Sequence, residues 1–299
     1  MRVAASGTAT RPRRSLRVAR FISRPTFMSR AHLQRSAKGT ARGERTNGSA
    51  HPETSKRSLR ISGMRDRDAR LAGLLYLLAV IGGVFVLRYI PARVMRSGDA
   101  VATAHNIVAN ELLFRVGIAG GVALGVLWLF VVLALYRLLK DVDRVQAALM
   151  VILGAFLQVP TYFANTANYG AALLLVTDNR FSPAFSEMQR DVTAALFLQL
   201  HFYELNASLV LAGLWLMPFG ILVYKSGFLP RVLGGWLILN GFAWLAISFT
   251  NFLAPQYGDI VESFSRPILF GEIAITLWML VMGARTFGGR AMPRGATTA

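Results

Sequence analysis

Six apolar stretches, each long enough to cross a bilayer, constrain this chain more than any other feature. The first runs from Leu71 to about Pro91 and reads LAGLLYLLAVIGGVFVLRYIP. The others cover roughly Leu112–Leu139, Ala147–Val176, Ala194–Tyr224, Val232–Leu253 and Pro267–Phe287. A helix crosses the hydrocarbon core with about 20 apolar residues at about 1.5 Å each, and all six stretches reach that length. Backbone polar groups find no water in lipid, so stretches this continuous are expected to be helices. The alternation of a membrane barrel strand is absent. The expected fold class is therefore all-α, a polytopic bundle of six spans whose first partner is the lipid bilayer.

Charge divides the chain into unlike parts. Residues 1–70 hold 18 Lys/Arg against 4 Asp/Glu, while residues 71–299 hold 15 against 11. The basic segment has no nucleic-acid module and few aromatic residues, so no nucleic-acid partner is expected. Residues 1–63 lack an apolar run and are rich in Arg, Ser, Thr, Gly and Ala, a composition that buries no core. They read as a disordered basic tail, with a transit peptide as an alternative. A third reading is that Met64 is the true start, since MRDRDARLAGLLYLL is a compact charged lead into span 1. That reading is the favoured one, with 64–299 as the transmembrane domain.

Cysteine is absent, which excludes disulfides, thiolate catalysis and Cys-ligated metals. Zinc needs three or more protein ligands. Beyond His201 and Glu204 only His105, Glu111 or Glu272 are at hand, with no supporting spacing, so neither a metal nor a cofactor is expected. Sequence signatures of metalloproteases, α/β-hydrolases and nucleotide-binding proteins are missing, and no catalytic residue is assigned.

The polar residues inside the spans carry what functional signal exists. Glu111 and Arg115 stand at i, i+4 at the start of span 2, a spacing that permits an ion pair. Thr161, Asn165 and Asn168 form a stripe on span 3, and His201, Glu204 and Ser208 form one on span 4. Glu272 lies between ILFG and IAITLWML; with span 6 starting near Arg266 it would be about 9 Å deep. The expected arrangement is an outward-facing polar cluster of Glu111, Arg115, Asn165, Asn168, His201, Glu204 and Glu272 at similar depth, either a functional cavity or structural pairing. For Glu272 the expected partners are Arg115, His201 and the Asn165/Asn168 pair.

Small residues and prolines shape the packing. Gly117, Gly121 and Gly125 form one close-approach face on span 2, used within the monomer or, alternatively, by a homo-oligomer. Pro160 and Pro218 each remove a helical hydrogen bond and are expected to kink spans 3 and 4. Leu127-Trp128-Leu129, Arg144 and Gly154 recur 87 residues on as Leu214-Trp215-Leu216, Arg231 and Gly241, so spans 2–3 and 4–5 read as a faint parallel repeat.

RLAGLLYLLAVIGGVFVLRYIPARV (70–94), ELLFRVGI (111–118), ALYRLLKDVDRVQAALMV (134–151) and GLWLMPFGILVYKSGFLPRVLGG (213–235) resemble bacterial membrane proteins of the domain of unknown function 4386 family. The resemblance spans about residues 66–287 and implies a bacterial membrane protein of six or seven spans. It implies no activity, cofactor or catalytic residue.

Function classes follow. The first is a small-molecule or ion permease, or an accessory membrane subunit, that admits its solute at the polar cluster. A membrane-embedded enzyme acting on a lipid or apolar substrate is the alternative, and a structural or stress-associated membrane protein is a third. Arg137, Lys140 and Arg144 flank the turn after span 2, and Lys225 and Arg231 the turn after span 4. With the basic N-terminus and Arg285, Arg290 and Arg294, they place both termini in the cytoplasm of a bacterial inner membrane. A reporter active only in the cytoplasm is expected to work when fused after Lys140 or Lys225. Activity there from a reporter that works only outside the membrane overturns this orientation.

Overall fold

Each apolar stretch forms a helix, and polar residues at its ends continue it. The computed structural model describes residues 52–181 and 183–286, and among them every regular element is helical. Six spans result: Ser62–Val94, Glu111–Leu139, Arg144–Thr177, Glu187–Ser226, Arg231–Leu253 and Pro255–Val281. The basic tail up to residue 51 and the C-terminal residues 287–299 lie outside the described residues. The helix of span 1 already begins at Pro52 and runs through Met64 without a break.

Spans 1 and 4 begin earlier than the hydropathy reading, at Ser62 and Glu187 and not at Leu71 and Ala194, and two larger differences stand out. Span 6 begins at Pro255, not Pro267, and Pro267 sits inside the helix. Asp259, Glu262 and Arg266 make the first turns look like a loop, yet Glu262 pairs with Arg266 one turn on (3.7 Å) and with Arg88 of span 1 (3.5 Å). The segment 92–111, expected to be a loop, contains the helix Ala100–Ala109. Asp99 caps it by accepting from the Ala102 N–H at 2.8 Å.

The spans form a ring in chain order, each packed on its neighbours, with span 6 closing against span 1. Spans 4 and 5 make the closest seam. A Cβ on Gly213 would lie 2.7 Å from the Gly241 carbonyl, and the reverse holds at the same distance. Gly220 and Gly234 repeat this reciprocal fit one seven-residue step along. Small residues at such steps let two backbones touch. The span 2 glycines are covered from within the chain: Gly117 by Ile90, Gly121 by Thr166 and Gly125 by Phe163. That face is taken up by spans 1 and 3, which argues against its use by a second copy.

Pro218 lies inside the continuous span 4 helix. Pro160 follows a π-helical segment, Ile152–Leu157, and Pro91 follows another, Phe85–Tyr89. A proline cannot bond the carbonyl four residues before it. Those carbonyls belong to Phe156 and Leu87, each inside a widened turn, so the extra residue absorbs the misfit.

The face with the short turns is tied down by charge. Lys225 pairs with Asp143 (2.9 Å), Arg285 with Asp66 (3.3 Å) and Arg137 with Asp68 (3.8 Å). The Lys225 hydrogen bond, and then the Gln146 N–H, hold the Asp143 carboxyl below its ordinary range. A depressed carboxylate contributes stability above its unfolded-state value and loses it as pH falls through the lower folded-state value, so this turn weakens only in acid. Arg144 and Arg231 each open the helix that follows a short turn.

At most 44% of the most apolar stretch of any span is buried, so most of the apolar surface faces outward. Leu78, Ile81, Phe130, Phe156, Phe242 and Phe270 are among the exposed side chains. Such an outer surface suits lipid and not water. The chain is a multi-pass integral membrane protein.

The Gly241→Ala variant is expected to lose about 1–3 kcal/mol because its methyl meets a backbone carbonyl. Gly235→Ala on the same helix, with nothing within 4 Å, should not. Thermal unfolding in detergent checks the contrast; equal melting temperatures would contradict it.

Candidate functional site

The core is interrupted. One buried cluster fills the half nearer the short turns, with Tyr76, Leu135, Met150, Trp215, Phe219 and Ile275 among its members. A second fills the loop-side half with Val94, Ile107, Phe114, Tyr169 and Leu198. Along spans 1 to 4 the residues between the two clusters line a cavity of about 30 Å³, room for about two water-sized molecules. Val86, Leu87, Gly117, Ile118, Gly121 and Leu205 supply apolar walls. Tyr162, Asn165, Thr166, Tyr169 and His201 complete the lining, which they reach almost wholly through apolar atoms.

His201 is the unusual wall. It is 6% exposed, its ring stacks on Tyr169 with centroids 3.9 Å apart, and neither ring nitrogen has a hydrogen-bond partner among the described residues. Asn165 holds the local backbone instead: its Nδ2 donates to the His201 carbonyl at 3.1 Å, and its Oδ1 accepts from Asn168 Nδ2 at 3.1 Å. The π-helical turn at Phe85–Tyr89 brings Val86 and Leu87 to the opposite wall. Gln158, one turn from Tyr162 on the same face of span 3, is 3% exposed and its Nε2 is also unpartnered.

Two charged belts set the depth. Asp66, Arg137, Lys225 and Arg285 mark the turn side; Arg88, Arg115, Glu204 and Glu262 mark the loop side. On each helix these marks are roughly 20–23 residues apart, or about 30–35 Å, close to a hydrocarbon thickness of about 30 Å. The cavity lies at the loop-side belt.

The expected cluster therefore separates. Asn165, Asn168 and His201 come together. Glu111 and Arg115 form their pair at 2.7 Å but remain exposed and outside the cavity walls. Glu204 is exposed on span 4 at the loop-side belt. Thr161 Oγ1 donates to the Gln158 carbonyl, and Ser208 Oγ to the Glu204 carbonyl, so both serve their own helices.

Glu272 is a correction in depth and in partners. Because span 6 starts eleven residues before Arg266, Glu272 lies about 15–20 Å from either belt, near mid-membrane. Its partners are not Arg115, His201 or the asparagines. Tyr76 of span 1 donates to Oε2 at 2.5 Å and Trp244 of span 5 donates Nε1–H to Oε1 at 2.8 Å. Behind Tyr76 lie Trp128 and Trp215, with ring centroids 5.4 and 6.0 Å away. Trp128 donates in turn to the Gly154 carbonyl at 2.8 Å, where Trp215 packs against the absent side chain. Sequence reasoning missed Tyr76, Trp244 and Gln158; polar-tipped residues inside apolar spans were the available signal. Among the described residues no three His, Asp or Glu side chains gather in a metal-ligand arrangement.

The sequence model of the family described as Domain of unknown function (DUF4386) matches residues 71–283. The chain belongs to the DUF4386 family. No curated protein matches it, and no solved structure does. The DUF4386 domain runs from the first apolar turn of span 1 to the glycine that ends span 6, so it contains both the cavity and the Glu272 site.

Opposite effects are expected from two neighbouring substitutions in this DUF4386 domain. Asn165→Leu removes an interhelical bond and should cost about 1 kcal/mol. His201→Phe keeps the stack on Tyr169 and removes two buried nitrogens without protein partners, so it should not lower the melting temperature. A clear loss of stability in His201→Phe would show that the nitrogens are structurally needed.

Proposed function

We propose that this DUF4386 protein is a permease for a small polar solute or ion, in a bacterial inner membrane with both termini cytoplasmic. The observation that carries the reading is the cavity that splits the core at the loop-side belt. A buried polar ring with no partner is costly in a purely structural bundle, and such groups are retained where something else uses them. In the proposed orientation the cavity lies on the outer side, where a solute would enter. Lys140, Arg144, Lys225 and Arg231 at the short turns support that orientation.

The alternative, an enzyme acting on an apolar substrate, would use His201 as a base for a nucleophile bonded to it. Both ring nitrogens lack such a partner, which favours the permease. In the role of an accessory subunit the same cavity would serve a carrier partner.

The chain has no cysteine, so single thiols report cleanly. Gly121→Cys and Leu205→Cys should react with a small membrane-impermeant thiol reagent supplied from outside the cell. Val126→Cys, on the lipid-facing surface at 43% exposure, should not. If the two cavity variants stay unlabelled from outside yet react once denatured, the entry reading fails.

A further inference from the structure

We propose that Glu272 is a proton-binding site at the centre of the membrane and that its protonation is linked to the state of the loop-side cavity. This rests on the permease reading and names the ion coupled to it.

The geometry accommodates a proton in either state. As a carboxylate, Glu272 accepts from Tyr76 on one oxygen and from Trp244 on the other. As a carboxylic acid it can donate to the Tyr76 oxygen, since a phenol hydroxyl is both donor and acceptor, while Trp244 keeps its bond to the carbonyl oxygen. In either state both Glu272 oxygens, the Tyr76 oxygen and the Trp244 N–H keep a partner, and the acid form turns the Tyr76 hydroxyl hydrogen away from Glu272. A structural carboxylate at this depth calls for a cation beside it, because an uncompensated charge in mid-membrane is expensive. Among the described residues no Lys, Arg or His pairs with Glu272; its partners are neutral donors backed by the Trp128 and Trp215 rings. A proton is the ion that such a packed site can take.

The site also has a connection to the cavity. Tyr162 forms part of the cavity wall and is close enough to Glu272 and Tyr76 for electrostatic interaction with both. Gln158, with its unpartnered Nε2, continues the same face of span 3 toward mid-membrane. In this proposal the proton reaches Glu272 from the cavity side along this face, and no other group is oxidised or reduced. Tyr76 on span 1 and Tyr162 on span 3 are the titratable groups that face Glu272; span 5 has none between Arg231 and Leu253. On span 1 Arg70 and Arg88 flank Tyr76 on its turn side and loop side, and on span 6 Glu262 and Arg266 precede Glu272; Arg88, Glu262 and Arg266 are occupied in the loop-side belt.

The test measures labelling of Gly121→Cys in the full chain, in reconstituted vesicles, from mildly acidic to mildly alkaline buffer. Rates are normalised to the exposed Arg96→Cys, which removes the reagent's own pH dependence. With Glu272 present the normalised rate should change several-fold. With Glu272→Gln it should be flat, because the amide donates to Tyr76 and accepts from Trp244 but cannot titrate. Glu272→Asp should restore a pH dependence, which guards against a merely misfolded Gln variant. If Gly121→Cys is labelled with the same pH profile in both backgrounds, the linkage is overturned while cavity access stands. If it is not labelled at any pH, the permease reading falls, and tryptophan emission decides proton binding alone. A pH-dependent emission shift abolished by both Trp244→Phe and Glu272→Gln supports the proton site; emission that ignores Glu272→Gln overturns it.

Discussion

Two apolar helices in lipid gain nothing by excluding water from each other, because the acyl chains are as apolar as leucine. Spans 4 and 5 therefore hold together by contact, and the contact depends on the absence of side chains at Gly213, Gly220, Gly234 and Gly241. The two reciprocal glycine pairs, Gly213 with Gly241 and Gly220 with Gly234, fix the register of span 5 against span 4. Span 5 then carries Trp236 and Asn240, which donate to the Ile268 and Leu269 carbonyls of span 6. These carbonyls lie one and two residues beyond Pro267, whereas the carbonyl that Pro267 leaves without its helical partner is that of Ser263, one turn before it. Trp244, one turn on from Asn240, reaches Glu272 from the same helix face. The position of the mid-membrane carboxylate thus follows from the glycine seam through span 5.

Depth is set separately, by the two charged belts. Their spacing matches the hydrocarbon thickness without any membrane being assumed, because spans 1, 2, 4 and 6 each carry their own pair of marks. This resolves the expected polar cluster into residues of three kinds. Glu111, Arg115 and Glu204 lie at the boundary, where water or headgroups satisfy them and an ion pair contributes little. Asn165, Asn168 and His201 lie at the same height but inside the ring. Glu272 alone is at the centre. One helical stripe can therefore contain a residue with a solvent role and another with an interior role; His201 and Glu204, three residues apart, are such a pair.

The number of spans, their order and the charged turns were legible in the sequence because hydropathy and charge act residue by residue. Helix ends were not. Glu262 and Arg266 look like loop residues until their pairing with each other and with Arg88 is known, and that single misplacement moved Glu272 toward the surface. The cavity was only half legible: spacing brought out Asn165 and His201, whereas Val86 and Leu87 reach it through a π-helical turn that no periodicity encodes. Gly213 and Gly220, and Gly234 and Gly241, were readable as seven-residue pairs, but pairing one set with the other needs the antiparallel register. Tyr76 was hidden for a similar reason, since its partner lies 196 residues away.

The cavity and the carboxylate share a structural logic that a packed bundle does not need. Span 3 is widened at Ile152–Leu157 and span 1 at Phe85–Tyr89. The first widening is followed directly by the buried Gln158, and the second contains Val86 and Leu87, two of the apolar walls of the cavity. A widened turn is a place where one hydrogen-bond register can pass into another at low cost. Spans 1 and 3 also carry Tyr76 and Tyr162, the two hydroxyl-bearing rings nearest to Glu272. The seam between spans 4 and 5 is built from backbone contacts that permit little movement, whereas spans 1 and 3 hold the irregular turns. A change of state that reaches both polar sites would therefore move spans 1 and 3 against a fixed pair of spans 4 and 5.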